Sequence, residues 1–234
     1  MEFKEAERLI EAHHILAEQG HDELHFGHIS AIDREAGVMW IKRGDSGFAG
    51  VALADMQAID FNGKRVHGEG PEHTEVWLHL GVYAKRPDVN AIVHSHARPL
   101  IAYSAVEPKW PIIDQYTCEM SHGLCYYDHS GLIVSRELGD QLASAVGSGR
   151  TCVLRSHGLL VADASIEAAV VGAVEFGRSV DIQLMARALG TVRPMKQEDV
   201  EEMLPRFISR HENRVRNMWR TLTLEHKAKK GTHR

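Results

Sequence analysis

The sequence predicts a single α/β domain spanning residues 1–234, and three observations point to it. Short runs rich in β-branched residues alternate with longer segments whose apolar residues recur at helical spacing. Turn signals built on Gly, Pro and Asn separate these runs, with no internal repeat, linker or low-complexity tract between them. The composition is that of an ordinary globular chain: 234 residues, 44% hydrophobic and 25% charged, which is enough for one sizeable core.

Residues 3–19 place Leu9, Ala12 and Leu16 beneath a charged face, forming an amphipathic helix that Gly20 ends. His28–Ile32 and Val38–Ile41 flank the polar segment Asp33–Gly37 and read as a hairpin, followed by a flexible loop through Gly44, Gly47 and Gly50. Met56–Asp60 and Arg65–His67 are short strands around an Asn62-Gly63 turn. Pro71 opens a second helix over residues 72–85, and Pro87 lies just beyond its end. Ala91–Ala97 is a strand, 99–106 a helix, and 111–116 and 132–134 short strands. Arg136–Val146 is a helix and Thr151–Ser156 a strand, after which Gly158 breaks the chain before Leu159–Ala162. Asp163 or Ser165 caps a long helix over 166–189 that Gly190 closes. One more helical pattern runs over 197–220. The basic end that follows, with Lys227, Lys229, Lys230 and Arg234, reads as a frayed tail.

Several function classes are excluded at this level. With 27 basic and 32 acidic residues and a net charge of −5, the chain lacks the basic excess that nucleic-acid binding needs. No apolar run approaches the ~18–20 residues of a membrane span, and residues 1–16 lack the pattern of a secretory leader. Three cysteines with no C-x-x-C pair signal neither a disulfide frame nor a zinc knuckle. A cytoplasmic protein without nucleic-acid or membrane partners is expected. The unusual entry in the composition is histidine, at 16 copies, which suggests metal, proton transfer or several pH-sensitive contacts.

His94 and His96 share one face of their strand, because residues i and i+2 point the same way. Two imidazoles so placed suit one metal ion, or are simply two partly exposed polar side chains. The preceding helix favours the metal. From Glu75 to the turn at Pro87 is about 18 Å at 1.5 Å per residue, and from Asn90 to His96 about 20 Å at 3.3 Å per residue. Glu75 is therefore expected level with His94 and His96, unless it is only a first-turn acid serving the helix dipole. His157, before the permissive Gly158, is the candidate third ligand; otherwise it is a polar residue in a strand–strand loop.

Glu75-Val76-Trp77-Leu78-His79, Tyr83, the run Arg86 to His96, and Ser156-His157-Gly158-Leu159-Leu160-Val161-Ala162 together resemble the class II aldolase/adducin family over residues 5–190. The resemblance implies a three-layer α/β/α sandwich around a mainly antiparallel central sheet. It also implies a homotetramer with sites between subunits, one divalent metal per subunit on His94, His96 and His157, and Glu75 as catalytic acid/base. Zinc or manganese is expected, with cobalt or iron as alternatives.

The family's sugar-phosphate aldolases carry a phosphate cradle, and here it is altered. A G-N-x-S turn reads Gly27-His28-Ile29-Ser30, a T-G pair falls in Lys42-Arg43-Gly44-Asp45, and a serine pair is His73-Thr74. His28, Arg43, His73 and Thr74 are thus expected to bind a small-molecule carboxylic acid instead, although Arg43 also reads as a surface loop residue. The leading expectation is a metal-dependent lyase that decarboxylates a hydroxylated aromatic or pyridine carboxylic acid, in aromatic compound catabolism. A sugar-phosphate aldolase and a non-catalytic adducin-like binding module are the alternatives, with a sugar-phosphate dehydratase behind them. Tyr116, His122, Tyr126, Tyr127 and His129 fall where the family brings pocket residues from a neighbouring subunit. His79 reads as helix packing, and His13, His14, His21, His25, His211, His226 and His233 as solvated surface.

Overall fold

In a computed structural model, which describes residues 4–106 and 111–232, eight strands form one sheet in the order β4-β3-β2-β1-β5-β8-β7-β6. The strands are β1 (His28–Asp33), β2 (Val38–Lys42), β3 (Met56–Asp60), β4 (Arg65–His67), β5 (Ala91–Ser95), β6 (Leu124–Tyr127), β7 (Thr151–Leu154) and β8 (Gly158–Asp163). Every neighbouring pair is antiparallel except β6–β7. The helices are α1 (Lys4–Leu16), α2 (Val76–Lys85), α3 (Arg98–Ser104), α4 (Gln115–Met120), α5 (Arg136–Val146), α6 (Ile166–Leu189), α7 (Gln197–Ser209) and α8 (His211–Thr232).

The two-residue period of the strands sorts the core into two layers. Ile29, Ala31, Val93, Leu159 and Val161 pack against Leu9, Leu16, Val170 and Val174 of α1 and α6. The alternate residues Ile32, Ile92, Leu160 and Ala162 face Leu78, Val82 and Leu142 of α2 and α5. Helices on both faces of a mainly antiparallel sheet match the expected sandwich. Helices α2 and α5 cross backbone to backbone, since a Cβ on Gly81 would collide with Gly139 and one on Gly139 with Trp77 O. That close crossing fixes the height of α2, and with it Glu75, over the sheet.

Several expected boundaries shift. Helix α2 begins at Val76 and not at residue 72, because the irregular segment before it is tied down elsewhere: Gly44 N–H bonds Pro71 O and Gln57 Nε2 donates to Glu69 O. Strand β5 ends at Ser95, so His96 lies just past it. Neither 111–116 nor 132–134 is a strand. Asp114 instead caps α4 through Thr117 N–H, and the Ile133 N–H is turned to the side chain of Glu75. The edge strand β6 was not expected; it is short, and the parallel ladder to β7 defines it. The C-terminal pattern is two helices broken at Arg210, and the basic end is helical to Thr232. Lys229 Nζ sits 3.1 Å from Glu18 Oε2, with His226 Nδ1 at 2.6 Å from Glu18 Oε1. Arg234 and His233 lie outside the described residues.

Candidate metal centre

Glu75 is the first residue of the α2 turn, yet its side chain does not cap the helix. Its Oε1 accepts the Ile133 N–H at 2.8 Å. Its Oε2 then lies 3.5 Å from His157 Nε2, 3.8 Å from His94 Nε2 and 3.9 Å from His28 Nε2. Three strands deliver these imidazoles. His94 stands opposite His28 of β1 and opposite Leu160 of β8 in the ladder. His157 occupies the tight β7–β8 turn, where Ser156 takes φ +51° and a Cβ at Gly158 would strike Ser95 O.

The chemistry of the set fits a divalent metal. Glu75, His94, His96 and His157 each offer a ligand atom, and these atoms all lie within 4.8 Å of one another. His94 Nδ1–H donates to Leu159 O at 2.9 Å, which fixes the tautomer and leaves Nε2 with its lone pair. His96 Nε2 faces that atom at 2.7 Å. Both nitrogens of His157 are buried without a hydrogen-bond partner, a cost that coordination would remove. Burial, and then the neighbouring imidazoles His96 and His157, push His94 well below the ordinary histidine range; burial followed by His157 brings His96 to about 4. Neutral imidazole is the form a metal takes. For Glu75, burial works upward, but the nearby His157 imidazole, the Ile133 amide and His96 outweigh it and leave the carboxyl below its usual range.

A second group of side chains abuts this cluster. The His28 and His73 rings approach to 3.8 Å between centroids, and His73 Nδ1 accepts the Glu75 N–H at 3.4 Å. Behind them His28 Nδ1 meets His79 Nε2 at 2.5 Å, His79 Nδ1 meets Ser30 Oγ at 2.6 Å, and Ser30 Oγ meets Tyr83 OH at 2.7 Å. His79 therefore does more than pack its helix. Thr74 is exposed beside Glu75. The structure does not bring Arg43 to the cluster: its guanidinium pairs with Asp45, Nη2 to Oδ2 at 2.7 Å, and folds over Gly70.

Sequence reasoning passed over Ser30, Tyr83 and Lys42. The signal for the first two was available: Ser30 shares a strand face with His28, and Tyr83 is one turn from His79 on α2. Lys42 is fully buried and donates from Nζ to His25 O at 3.0 Å; burial lowers it to about 8 against the pull of Asp45, Asp22 and Asp55. Nothing in the sequence marked it as buried. Tyr126 and Tyr127 bond Tyr103 and Gln141 within the chain. Of the histidines expected at the surface, His13, His21 and His226 are buried.

A cavity of about 610 Å³ lies elsewhere, between α4, α6, α7 and α8. Arg214 at its wall pairs with Glu119 and, at 3.1 Å, with Glu175. Volume alone does not mark a chemical centre; the ligand atoms that converge at Glu75, with both His157 nitrogens unbonded, make that cluster the better candidate.

Comparisons with known proteins agree with this geometry. The family model for the class II aldolase and adducin N-terminal domain matches residues 7–184. A 3,4-dihydroxyphthalate decarboxylase of Arthrobacter keyseri is 27% identical over 202 residues, covering 81% of this chain and 82% of that protein. An L-fuculose phosphate aldolase of Escherichia coli is 28% identical over 151 residues, 64% of this chain and 69% of that protein. Among solved structures, an aldolase II superfamily protein from Pseudomonas syringae shares the fold with a TM-score of 0.90 at 21% identity, over 97% of this chain and 94% of that one.

Proposed function

Because this chain belongs to the class II aldolase and adducin family, whose members include metal-dependent lyases of both the decarboxylase and the aldolase kind, we propose that it is a decarboxylase of hydroxylated aromatic or pyridine carboxylic acids. The observation that carries this reading is the occupation of the would-be phosphate cradle. Where an aldolase offers small free donors, this chain places the imidazoles of His28 and His73 against each other, tilted by 60°. The neighbouring Gly44 N–H is spent on Pro71 O, and the Arg43 guanidinium on Asp45. A planar ring carrying oxygens fits such a wall better than a tetrahedral phosphate does.

His94, His96 and His157 would hold the divalent ion, zinc or manganese in the first instance, with Glu75 beside it. Bound there, the ion supplies a Lewis acid that spreads the negative charge of the reacting ring. In the reaction the bond between ring carbon and carboxyl carbon breaks, CO2 leaves, and the electron pair stays on the ring until a proton takes it up. Glu75, held as a carboxylate, takes the proton of the substrate's ring hydroxyl and then returns it to the ring carbon as CO2 leaves. Its Oε1 is pinned by the Ile133 N–H, so Oε2 is held on the imidazole side, and the carboxyl is only 2% exposed. His28 and His73 bind and orient the substrate's oxygens. A homotetramer with sites completed by a neighbouring subunit remains part of this reading, and sedimentation tests it.

The deciding experiment incubates metal-loaded protein with a panel of hydroxylated aromatic and pyridine carboxylates, and in parallel with sugar phosphates. Release of CO2 from at least one acid, with the sugar phosphates untouched, is expected. Cleavage of a sugar phosphate without CO2 release from any acid overturns the proposal in favour of an aldolase.

A further inference from the structure

The chain of contacts behind His28 ends, at the pocket, in an atom that has no partner. His28 Nε2 is buried and unbonded, 3.9 Å from Glu75 Oε2. Whether it presents a hydrogen or a lone pair depends on which nitrogen of His28 carries the proton, and the other members of the chain settle that.

Tyr83 is buried, and Ser30 Oγ at 2.7 Å is the acceptor its phenolic hydrogen finds. If Ser30 donated to Tyr83 instead, the phenolic hydrogen would lose that acceptor inside a buried site, which is unfavourable. Ser30 Oγ, accepting from Tyr83, has its own hydrogen to place, and His79 Nδ1 stands 2.6 Å away. A neutral imidazole that accepts at Nδ1 carries its hydrogen on Nε2. His79 Nε2–H therefore donates to His28 Nδ1, and His28 in turn carries its hydrogen on Nε2. Each hydrogen in the chain then has an acceptor, except the last one, on the nitrogen 3.9 Å from Glu75 Oε2.

We infer that Tyr83, Ser30 and His79 form a directional hydrogen-bond relay that sets His28 as an Nε2–H donor, so that the pocket selects substrates presenting an acceptor oxygen, a carboxylate or a ring oxyanion, at that point. His28 touches the substrate; His79, Ser30 and Tyr83 are positioning residues that act through it. The selection of substrate rests on the pocket assigned under the proposed function, whereas the relay itself does not require that reading.

The test is nitrogen-15 NMR of the zinc-loaded protein labelled at histidine, with a His28→Gln variant to assign the His28 signals. In the native protein, with no substrate added, His28 and His79 are both expected as Nε2–H tautomers. Ser30→Ala and Tyr83→Phe remove the directing hydroxyls and are expected to move His28 toward a mixture of tautomers. They should raise KM about tenfold, the worth of one hydrogen bond, with kcat changing less and zinc content unchanged. Ser30→Thr, which keeps the hydroxyl, is expected to preserve the native tautomer. A native His28 found as the Nδ1–H tautomer overturns the relay even if no variant folds. So does an unchanged His28 in both folded variants. A failure of the substrate assignment shows differently: no CO2 from any acid, with the tautomers as expected.

Discussion

Two pairs of buried histidines, His13 with His21 and His28 with His157, sit on opposite sides of the same sheet and differ in how far their nitrogens are used. On the α1 side, His13 donates from Nδ1 to Leu9 O at 2.7 Å and accepts the Ile29 N–H at Nε2, and His21 Nδ1 bonds Ser95 Oγ at 2.8 Å. On the α2 side, His157 has neither nitrogen bonded, and His28 leaves Nε2 open. Burial is equal, so burial does not mark function. His13 closes its hydrogen bonds within the chain and belongs to the scaffold; His157 and His28 keep open nitrogens beside Glu75, where the candidate ligand atoms converge.

The contrast breaks if the two sets respond alike to substitution. The largest effect is expected at the ligands: His94→Ala should lose the metal and bring turnover to background, read by elemental analysis and the CO2 assay. Glu75→Gln should keep the metal and lower kcat about 10²–10⁴-fold, the usual worth of a positioned acid/base. On the scaffold side the readout is stability. His13→Ala removes both the Leu9 and Ile29 bonds and leaves a cavity, and should cost about 2–4 kcal/mol in denaturant unfolding with metal content unchanged.

Acid should probe the same set. Burial lowers His13 to about 3 and His21 to about 4. A histidine lowered in the folded state takes up protons more readily when unfolded, so its stabilisation is complete above pH ~6.5 and is lost as pH falls toward the folded value. Between pH 6.5 and 4 that loss is on the order of 3 kcal/mol for each residue, measurable as a falling denaturation midpoint. The smallest effect is expected at Arg43. Its exposed pair with Asp45 keeps it from the cluster, so Arg43→Ala should change KM by about threefold at most.

The parts of this picture that were legible in sequence are those with local periodicity. Strand alternation placed His94 and His96 on one face, and travel along α2 and β5 placed Glu75 near them. Arg136–Val146 and 166–189 carried their own caps, Ser135 and Ser165. Illegible were features set by distant partners. The start of α2 was delayed by the bonds from Gly44 and Gln57, and β6 exists through its pairing with β7. The tail is helical to Thr232 because Glu18, some 200 residues earlier in the chain, meets His226 and Lys229. The burial of His13 and Lys42 likewise depends on what packs over them, which charged local sequence does not disclose. For Arg43, position in a motif pointed to the pocket, while an aspartate two residues away took the guanidinium.

The account rests on one ion held by one of the two histidine sets. Its most direct test is the metal content, per chain, of protein purified without chelator, measured for the native chain, His157→Ala and His13→Ala side by side. Close to one divalent ion in the native chain and in His13→Ala, and a small fraction of that in His157→Ala, is the predicted result. A native chain without metal, or a His157→Ala variant that retains it in full, contradicts the account.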